Sequence, residues 1–448
     1  MLLTPLAAML ALGLLGVAQS PTITTWITGA GAKPALAVID FRGAGSQPYM
    51  NTFNATLFGD LNGSNIFDMR PKGMYPLGNP QRPEDLRPSD NNQGFALADW
   101  AGAPVSASHL VFGYTAAQNG VLVLSGWVYD TRQENVQSAQ LMAQRYVGSL
   151  DEAGAIKVAH EFANDIITKF GGGGSLLGSR IYYVSGARVG DNTEIWSMSW
   201  DGTDQKQMTR LRSLTLQPAI SPDGERLAFT TYAQGRPRIM MISPETGRNV
   251  PFLNQDASMN ATPSWTPDSS RIFYSSTAAN GLSQIYSAGK DGRGFTRVSH
   301  REAIEVEPKA NPKNPDVLLF VAGPGGQQIY QMNAQGANVQ RVTNGEGEAS
   351  NPAWHPDGQH FAFSWTRGYA KGDFNIFVAD ISNPMDFVQL THSEGRNENP
   401  SWAPDGRHLV FASNRSGRSQ IYTMLADGSQ VKQLTTQGVN RSPIWGTK

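Results

Sequence analysis

The sequence contains no cysteine, which excludes disulfide bonds, thiol catalysis and zinc sites built on thiolates. It has no excess of charge of either sign, since 36 basic residues stand against 37 acidic ones. A nucleic-acid-binding surface needs a basic field, so we expect no nucleic-acid partner. A Gly-x-Ser-x-Gly motif, the nucleophile elbow of α/β-hydrolase peptidases, is also missing. These absences favour a protein that is not an enzyme.

Long hydrophobic runs are scarce, and the one present lies at the N-terminus. The run from Leu2 to Val17 is too short to span a bilayer. Gly16 and Ala18 occupy positions −3 and −1 of a signal-peptidase site, so we interpret residues 1–18 as a signal peptide. The alternative is a buried core segment, since no Lys or Arg precedes the run. With no second run, the sequence predicts a soluble mature protein without a membrane span.

The first half of the chain after this run reads as a mixed α/β domain, assigned to residues 35–174 and preceded by a tail at 19–34. Buried strand patterns lie at 35–41, 109–114 and 121–129, with a hairpin signal at Gln118-Asn119-Gly120. Helical periodicity predicts a helix over 151–170, and 50–61 is a second helix candidate. Gly171 to Gly174 ends the long helix as a linker. We assign 71–92 to loop.

The second half, residues 175–448, repeats a motif of the form Pro-x-x-x-Pro-Asp-Gly. Clear copies begin at Pro218, Pro263, Pro352 and Pro400, a worn copy at Pro308 and a truncated one at Pro443. The leading prolines are 45, 45, 44, 48 and 43 residues apart. Each copy is followed by further short strands separated by turns. Four short strands per repeat at this period are typical of a β-propeller blade.

The turn chemistry explains the repeated Pro-Asp-Gly. Proline presets φ, aspartate caps the turn through its side chain, and glycine accepts a conformation that other residues resist. The aspartates are therefore interpreted as turn caps and not as an acidic ring. Three strands from Arg180 onwards have no Pro-x-Trp strand ahead of them, while Ser442 to Trp445 is such a strand with nothing behind it. The C-terminal strand should complete the first blade and close a six-bladed ring.

This arrangement resembles the TolB family of the Tol-Pal system, in which a signal peptide and a small α/β domain precede a propeller of Pro-x-Trp-x-Pro-Asp-Gly repeats. The resemblance covers nearly the whole chain. It implies a monomeric periplasmic scaffold without a cofactor, which links the outer-membrane lipoprotein Pal to the inner-membrane protein TolA in envelope integrity and cell division. Pal would bind one mouth of the propeller, and TolA the N-terminal tail.

Carried onto this sequence, the resemblance places the Pal-binding residues just ahead of the leading prolines. They are Met259, Asn260, Thr262, Glu305, Val306, Glu307, Ser350, Asn351, Glu398, Asn399, Arg441 and Ser442. The TolA-binding residues would be Ile23, Thr24, Trp26 and Ile27, within a tail that departs from the family pattern by lacking acidic residues. The tail could also dock on its own domain when Pal is absent.

Two other interpretations stay open. The loop acids Glu305, Glu307, Glu346, Glu348, Glu394 and Glu398 are either solvated charges or an acidic rim that steers a basic partner or holds a cation. The propeller could also be a receptor for a small ligand or glycan in its central channel.

The seven histidines show no His-x-x-x-His or His-Glu-x-x-His spacing, so the sequence predicts no metal site. His355 lies in a repeat turn where other blades have Ser221, Thr266 and Ala403, and we interpret it as a surface variant. His160 lies beside apolar residues of the long helix, which predicts a partly buried histidine with satisfied hydrogen bonds.

Overall fold

A computed structural model describes residues 23, 33–43, 49–87, 95–171, 176, 178–256, 258–323 and 326–446. It contains an N-terminal α/β domain followed by a six-bladed β-propeller. The predicted signal peptide and most of the tail lie outside the described residues. The predicted domain boundary at 174 falls among residues 172–175, which also lie outside them.

The α/β domain is built on a six-stranded sheet of order β3-β1-β6-β7-β8, with β2 paired to β6. Strands β1, β2, β3 and β6 pair in parallel, whereas β6, β7 and β8 form an antiparallel meander. The strands are β1 (Ala35–Val38), β2 (Arg42–Gly43), β3 (Asp68–Met69), β6 (His109–Gln118), β7 (Val121–Asp130) and β8 (Gln140–Ser149). A separate pair consists of β4 (Leu86–Arg87) and β5 (Phe95–Ala96).

Two long helices, α1 (Met50–Gly63) and α4 (Glu152–Lys169), share one apolar core with the sheet. Short helices α2 (Ala98–Ala101) and α3 (Val136–Ala139) connect strands. Asp151 caps α4, because its Oδ1 accepts the Gly154 N–H at 2.7 Å. The predicted hairpin is confirmed, with Asn119 and Gly120 at φ 51° and 76°, as a two-residue type I′ turn requires.

The segment predicted as loop, 71–92, contains two short 3-10 helices, Lys72–Met74 and Pro83–Asp85, in addition to β4. Residues 88–94 lie outside the described part of the chain. The segment packs against the sheet through Tyr75, whose hydroxyl accepts the Val38 N–H at 3.0 Å and whose ring meets Trp100 edge-on. Burial raises the pKa of Tyr75 to about 12. This loop therefore forms part of the second apolar core of the domain.

Each blade of the propeller is an antiparallel four-stranded sheet. Blade 2 consists of β12 (Thr215–Ile220), β13 (Leu227–Thr231), β14 (Arg238–Ile242) and β15 (Asn249–Val250). Blade 3 consists of β16 (Asn260–Trp265), β17 (Arg271–Ser276), β18 (Gln284–Gly289) and β19 (Thr296–Arg297). Blade 4 consists of β20 (Glu305–Ala310), β21 (Val317–Ala322), β22 (Gln328–Asn333) and β23 (Gln340–Arg341).

Blade 5 has the longest outer strand of the six and consists of β24 (Ala349–Trp354), β25 (His360–Trp365), β26 (Asn375–Asp380) and β27 (Asn383–Gln389). Blade 6 consists of β28 (Asn397–Trp402), β29 (His408–Ser413), β30 (Gln420–Leu425) and β31 (Lys432–Gln433). Blades stack through apolar clusters that draw on neighbouring sheets, as in the group around Trp265 and Tyr274. The stacking buries faces that a single blade could not bury alone.

Blade 1 combines both ends of the propeller chain. It consists of β9 (Arg180–Gly186), β10 (Glu194–Ser199), β11 (Lys206–Gln207) and the C-terminal β32 (Val439–Gly446). Strand β32 pairs antiparallel with β9 from Val439 opposite Gly186 to Gly446 opposite Arg180. The predicted closure of the ring by the last strand is confirmed. Among the described residues, no helix is both long and apolar enough to cross a bilayer.

Candidate partner-binding site at the channel mouth

The first strands of the six blades stand next to one another around the axis of the propeller. They enclose a central channel of about 350 Å³, lined by residues from all six blades. Each of these strands begins at the same end of the channel, which we call the mouth. The connections from the last strand of one blade to the first strand of the next therefore lie at the mouth.

Each first strand contains a bulge immediately ahead of its leading proline, where the pairing register shifts. The six residues at the bulges all have left-handed φ values between 48° and 55°, although none is glycine: they are Gln217, Thr262, Glu307, Asn351, Asn399 and Ser442. A left-handed residue of this kind costs roughly 1–2 kcal/mol. All six line the central channel, so the bulge directs a ring of side chains inwards.

Hydrogen bonds between neighbouring blades hold several of the bulges in place. The Thr262 N–H donates to Thr230 Oγ1 of blade 2 at 3.1 Å. The Asn351 N–H donates to the Glu307 carboxylate of blade 4 at 2.9 Å, and the Asn399 N–H donates to a blade 5 hydroxyl at 3.2 Å. Side chains of one blade thus satisfy the backbone of the next, which fixes the ring geometry at the mouth.

One acidic and one basic side chain line the channel from blade 4. Burial raises the pKa of Glu307, although its hydrogen bonds from Asn351 favour the carboxylate. Burial lowers the pKa of Lys309, which lies two residues deeper on the same strand, while the charge of Glu307 opposes that change. Together with the amide and hydroxyl groups of the other blades, they give the channel both donors and acceptors. This lining suits a polar partner.

The mouth widens over blades 4 to 6 into a groove of about 650 Å³, which shares Glu307, Asn351 and Asn399 with the channel. Its charges occur as pairs of opposite sign. The Arg396 guanidinium lies 2.7 Å from the Glu398 carboxylate, and Lys371 Nζ lies 3.8 Å from Glu348. The groove is therefore not uniformly acidic, which weakens the interpretation of the loop acids as an acidic rim.

Blades 2 to 4 each present one exposed apolar residue at the mouth. The residue just before the first strand of blades 2, 3 and 4 is Leu214, Met259 or Ile304, with exposed fractions of 37%, 48% and 58%. The corresponding residue of blade 5 is Glu348 and that of blade 6 is Arg396. At this one position the mouth thus has apolar side chains over blades 2 to 4 and charged side chains over blades 5 and 6. We call this surface the two-sided rim.

The residues predicted to bind Pal fall into three groups. Those lining the channel or the groove are Thr262, Glu307, Ser350, Asn351, Glu398, Asn399 and Ser442. Met259, Val306 and Arg441 lie at the mouth with exposed or partly exposed side chains. Asn260 and Glu305 are fully buried, so their side chains offer no surface to a partner in this conformation. The predicted binding role of the set stays a prediction.

The buried members of the set support the loops of the mouth. The Asn260 side chain donates to the Gln255 carbonyl at 3.4 Å and to Ser258 Oγ at 3.2 Å. Glu305 lies 3.6 Å from Arg301 Nη1, and burial raises its pKa. Four residues of the channel, the groove or the mouth were not predicted from the sequence: Gln217, Lys309, Ile304 and Arg396. The repeat alignment alone would have found Gln217, because it occupies the same position as Thr262.

Of the predicted TolA-binding residues, the structure describes Ile23, whereas Thr24, Trp26 and Ile27 lie outside the described part. Ile23 is buried in the apolar cluster that joins blades 5 and 6, together with Ile376 and Leu409. Its N–H donates to Asp386 Oδ2 at 3.1 Å. Asp386 belongs to β27, the long outer strand of blade 5.

The two histidines singled out from the sequence differ in outcome. His160 is confirmed as a partly buried histidine, with Nδ1 2.5 Å from Asp60 Oδ2 and its ring edge-on to Trp200 of the propeller. The prediction that His355 is a surface variant is wrong, because blade 6 covers it. Its Nε2 lies 2.8 Å from the Gly406 carbonyl, and its ring meets Trp402 edge-on.

Comparisons with known proteins agree with this architecture. The family model of the TolB beta propeller domain matches residues 167–349 and 342–448. A protein TolB homolog of Chlorobium luteolum is 31% identical over 226 residues, which are 50% of this chain and 49% of the relative. A protein TolB homolog of Chlorobium chlorochromatii is 31% identical over 208 residues, which are 46% of this chain and 44% of the relative.

The match to these relatives spans about half of their length. Among solved structures, the crystal structure of TolB from Acinetobacter baumannii superimposes with a TM-score of 0.74 over 93% of this chain and 98% of that one. The sequence identity in that superposition is 20%, so it supports the fold of both domains and nothing further. Since the family model matches well over half of the chain, the protein belongs to the TolB β-propeller family.

Proposed function

We propose that the protein is a periplasmic, non-enzymatic scaffold of the Tol-Pal system. Its channel mouth binds a Pal-like outer-membrane lipoprotein, and its N-terminal tail binds a TolA-like inner-membrane protein. Membership of the TolB family supports this proposal. The observation that carries it is the mouth itself, where six bulges present inward side chains beside the two-sided rim.

The two-sided rim suits a folded protein partner. Exposed Met259 and Ile304 give an apolar contact that gains free energy on burial. The Arg396–Glu398 and Lys371–Glu348 pairs offer hydrogen-bond donors and acceptors that fix the orientation of a partner. An apolar centre beside oriented polar groups is the usual composition of a specific protein interface.

The experiment is calorimetric titration of the mature protein with the soluble domain of the Pal-like lipoprotein of the same organism. We expect Ile304→Asp and Met259→Asp each to weaken binding by about tenfold or more, because each places a charge in an apolar contact. Phe295→Asp is the matched control. Phe295 is equally exposed but lies in the β18–β19 turn, at the opposite end of the strands. Equal loss of binding in all three variants would contradict the proposed surface.

The tail supplies the second contact and can exist in a docked form. Burial of Ile23 between blades 5 and 6, with its N–H on Asp386, supports docking of the tail on the propeller. A partner shifts the balance between docked and free tail only by binding the two forms unequally. Deleting residues 19–31 should therefore change the affinity for the Pal-like domain. Equal affinities with and without the tail would remove the switch and leave the scaffold intact.

A receptor for a small ligand is the second candidate, favoured by the channel volume of about 350 Å³ and by Lys309 within it. The test is a thermal-shift screen of the mature protein with soluble cell-wall fragments. A receptor would gain stability with one class of fragment, and Lys309→Ala would abolish that gain. A scaffold would show no shift with any fragment while still binding the Pal-like domain.

A further inference from the structure

A cluster of three metal-ligating side chains lies away from the channel mouth, in the turn that joins β24 and β25 of blade 5. His355, Asp357 and His360 each offer one ligand atom, and these atoms all lie within 4.8 Å of one another. Asp357 Oδ2 is 2.9 Å from His355 Nδ1 and 2.7 Å from His360 Nδ1. We propose that these residues form a divalent-metal site, with Zn²⁺ as the ion it fits.

The hydrogen bond to blade 6 fixes the tautomer of His355. Its Nε2 faces the Gly406 carbonyl at 2.8 Å, and a carbonyl accepts but never donates, so the ring proton lies on Nε2. In the neutral ring, Nδ1 carries one lone pair, which accepts the Asp357 N–H at 3.1 Å, so a metal ion bound to Nδ1 would replace that donor. A histidine that donates one ring N–H to a backbone carbonyl and turns its other nitrogen towards a ligand site has the usual orientation of a metal ligand.

Asp357 Oδ2 lies 2.9 Å from His355 Nδ1, a distance at which a proton on Nδ1 makes an ion pair with the carboxylate. Zn²⁺ would take the place of that proton between the same two atoms. Two imidazole nitrogens and one carboxylate oxygen are ligands that Zn²⁺ accepts, at distances of about 2.0–2.2 Å. Binding an ion would require Oδ2 to move by roughly 0.5 Å to accommodate these bond lengths.

The carboxylate is held for this role by its other oxygen. Asp357 Oδ1 accepts the backbone N–H groups of Gln359 at 2.8 Å and His360 at 3.0 Å, which leaves Oδ2 to the two imidazoles. The His355 and His360 side chains are 11% and 7% exposed, whereas that of Asp357 is 32% exposed. An ion can therefore reach the site from the Asp357 side, where water would complete its coordination.

The equivalent turns of blades 2, 3 and 6 show what distinguishes this turn from them. In blades 2 and 3 the position of His355 is held by Ser221 and Thr266, whose hydroxyls donate to the turn aspartate. Blade 6 has the equivalent of His360, with His408 Nδ1 2.7 Å from Asp405 Oδ2, but Ala403 in place of His355. Blade 5 thus combines the aspartate–histidine pair of blade 6 with a second histidine.

The site lies at the contact between blades 5 and 6, because His355 reaches across to the turn of blade 6. A Cβ on Gly406 would lie 2.6 Å from His355 Nε2, so the approach of the two turns depends on this glycine. An ion that fixes the His355 ring would also fix its hydrogen bond to Gly406. We therefore expect Zn²⁺ to stabilise the contact between these blades.

The test is titration of the tag-free mature protein, first stripped with a chelator, with Zn²⁺ in competition with a chromophoric chelator. We expect one ion per chain, together with a rise in the midpoint of thermal unfolding. His355→Ser should weaken Zn²⁺ binding by more than about tenfold, since loss of a ligand costs at least as much as loss of a residue that only orients one. His360→Ala should do the same.

His355→Ser gives blade 5 the hydroxyl that blade 2 has at this position, so its turn should fold normally, and the unfolding midpoint without metal checks that it does. His392→Ser is the matched control, because His392 is exposed and lies outside the cluster. It should bind Zn²⁺ as the unmodified protein does. Absence of Zn²⁺ binding by the unmodified protein, or equal binding by the His355→Ser and His392→Ser variants, would overturn the proposal.

Discussion

Blade 1 and the other five blades have the same four-stranded sheet but are assembled from the chain in different ways. In blades 2 to 6 each strand pairs with the next strand along the chain, whereas in blade 1 the innermost strand β32 comes from the opposite end of the propeller. Local hairpins form at low entropic cost, but pairing of β9 with β32 closes a loop that contains all the other blades. Blade 1 can therefore form only when the whole ring does.

Blade 1 is also a blade on which the α/β domain rests. A cleft of about 450 Å³ separates the two, lined by His160 and Asp60 on one side and by Trp200 and Trp445 of blade 1 on the other. Blade 6 adds a direct contact, in which His408 Nε2 lies 3.1 Å from the Gly63 carbonyl. The strand that closes the ring thus also lines the cleft towards the N-terminal domain, through Trp445.

The largest expected effect comes from deleting residues 439–448, which removes β32. Strand β9 would lose its partner, and the side chains packed against Trp445 would become exposed. We expect a loss of about 5 kcal/mol or more in the free energy of unfolding, measured by urea denaturation, and loss of binding to the Pal-like domain. Deleting only residues 447–448, which follow β32, is the control. Equal stabilities of the two deletions would contradict closure by β32.

The second-largest loss of stability is expected from replacing one of two tryptophans that occupy the same position of their blades. Trp445 in β32 and Trp265 in blade 3 are 7% and 6% exposed, and each indole N–H donates a hydrogen bond. Replacing either by alanine should cost about 3–5 kcal/mol. We expect the loss for Trp445→Ala to lie at the upper end of this range. This variant should also unfold faster than Trp265→Ala, since it removes packing contacts of the closing strand. If Trp445→Ala lowers the free energy of unfolding by less than half as much as Trp265→Ala, closure by β32 adds nothing to the stability of the ring.

A smaller effect is expected when blade 4 receives the residue that the closing strand β32 has at the same position. Glu305 begins the first strand of blade 4, where blade 1 has Asn440 and blades 3 and 6 have Asn260 and Asn397. Burial raises the pKa of Glu305 above 4.5. Because the folded protein favours the protonated acid, the stability that this group contributes is present below pH 4.5 and is lost as pH rises through the raised pKa.

Glu305→Asn should therefore stabilise the protein by about 1 kcal/mol at pH 7, since the cost of burying the carboxylate outweighs its attraction to Arg301. Arg301 is 37% exposed, so water can solvate its charge after the change. The difference from the unmodified protein should grow as the pH rises from 4.5. Urea midpoints across this range measure it. Glu302→Asn is the control, because Glu302 is exposed, and it should change stability by less than about 0.5 kcal/mol. A destabilised Glu305→Asn protein at pH 7 would contradict this account.

The smallest effect concerns the contact between blade 1 and the α/β domain. Burial lowers the pKa of His160, but the hydrogen bond to Asp60 and the charges of Asp60 and Asp201 outweigh it and raise the pKa above 6.5. A raised histidine pKa contributes stability that is complete below pH 6.5 and is lost as pH rises through the folded value.

We expect the unfolding midpoint of the unmodified protein to fall between pH 6.5 and 8.5 more steeply than that of His160→Gln. Since Asp201 lies in the β10–β11 turn of blade 1, Asp201→Asn should reduce the slope as well. His392→Gln, at an exposed position, should leave the slope unchanged. Identical slopes in the unmodified protein and His160→Gln would show that this pair does not couple the domains.

The repeat and its closure could be predicted because they depend on local chemistry. The Pro-Asp-Gly turns and the regular spacing of the leading prolines define blades without any tertiary information. Strand β8 was not predicted, because most of its side chains are exposed or half-buried and give no alternating apolar signal. It forms because β7 offers a long pairing edge, and a sequence pattern does not show that edge.

The candidate site could be predicted only in outline. The repeat alignment located five of the six bulge residues, which share one position of the motif, although Gln217 at the same position was not included. It did not show that Asn260 and Glu305 are buried, because neighbouring strands and loops cover them. His355 resembled a surface variant for the same reason: the turn of blade 6 that covers it lies 51 residues away in the chain.

At the six left-handed residues, the position of the side chain in the channel and the chemical type of that side chain depend on different features of the protein. At each bulge the left-handed backbone conformation directs the residue into the channel, and it does so for several types of side chain. Glutamine, threonine, glutamate, asparagine and serine already share this position. A substitution there changes the charge or size of the channel lining. Where the side chain does not hold the neighbouring bulge, as the Glu307 carboxylate does, new partner specificity can evolve at little cost to the stability of the ring.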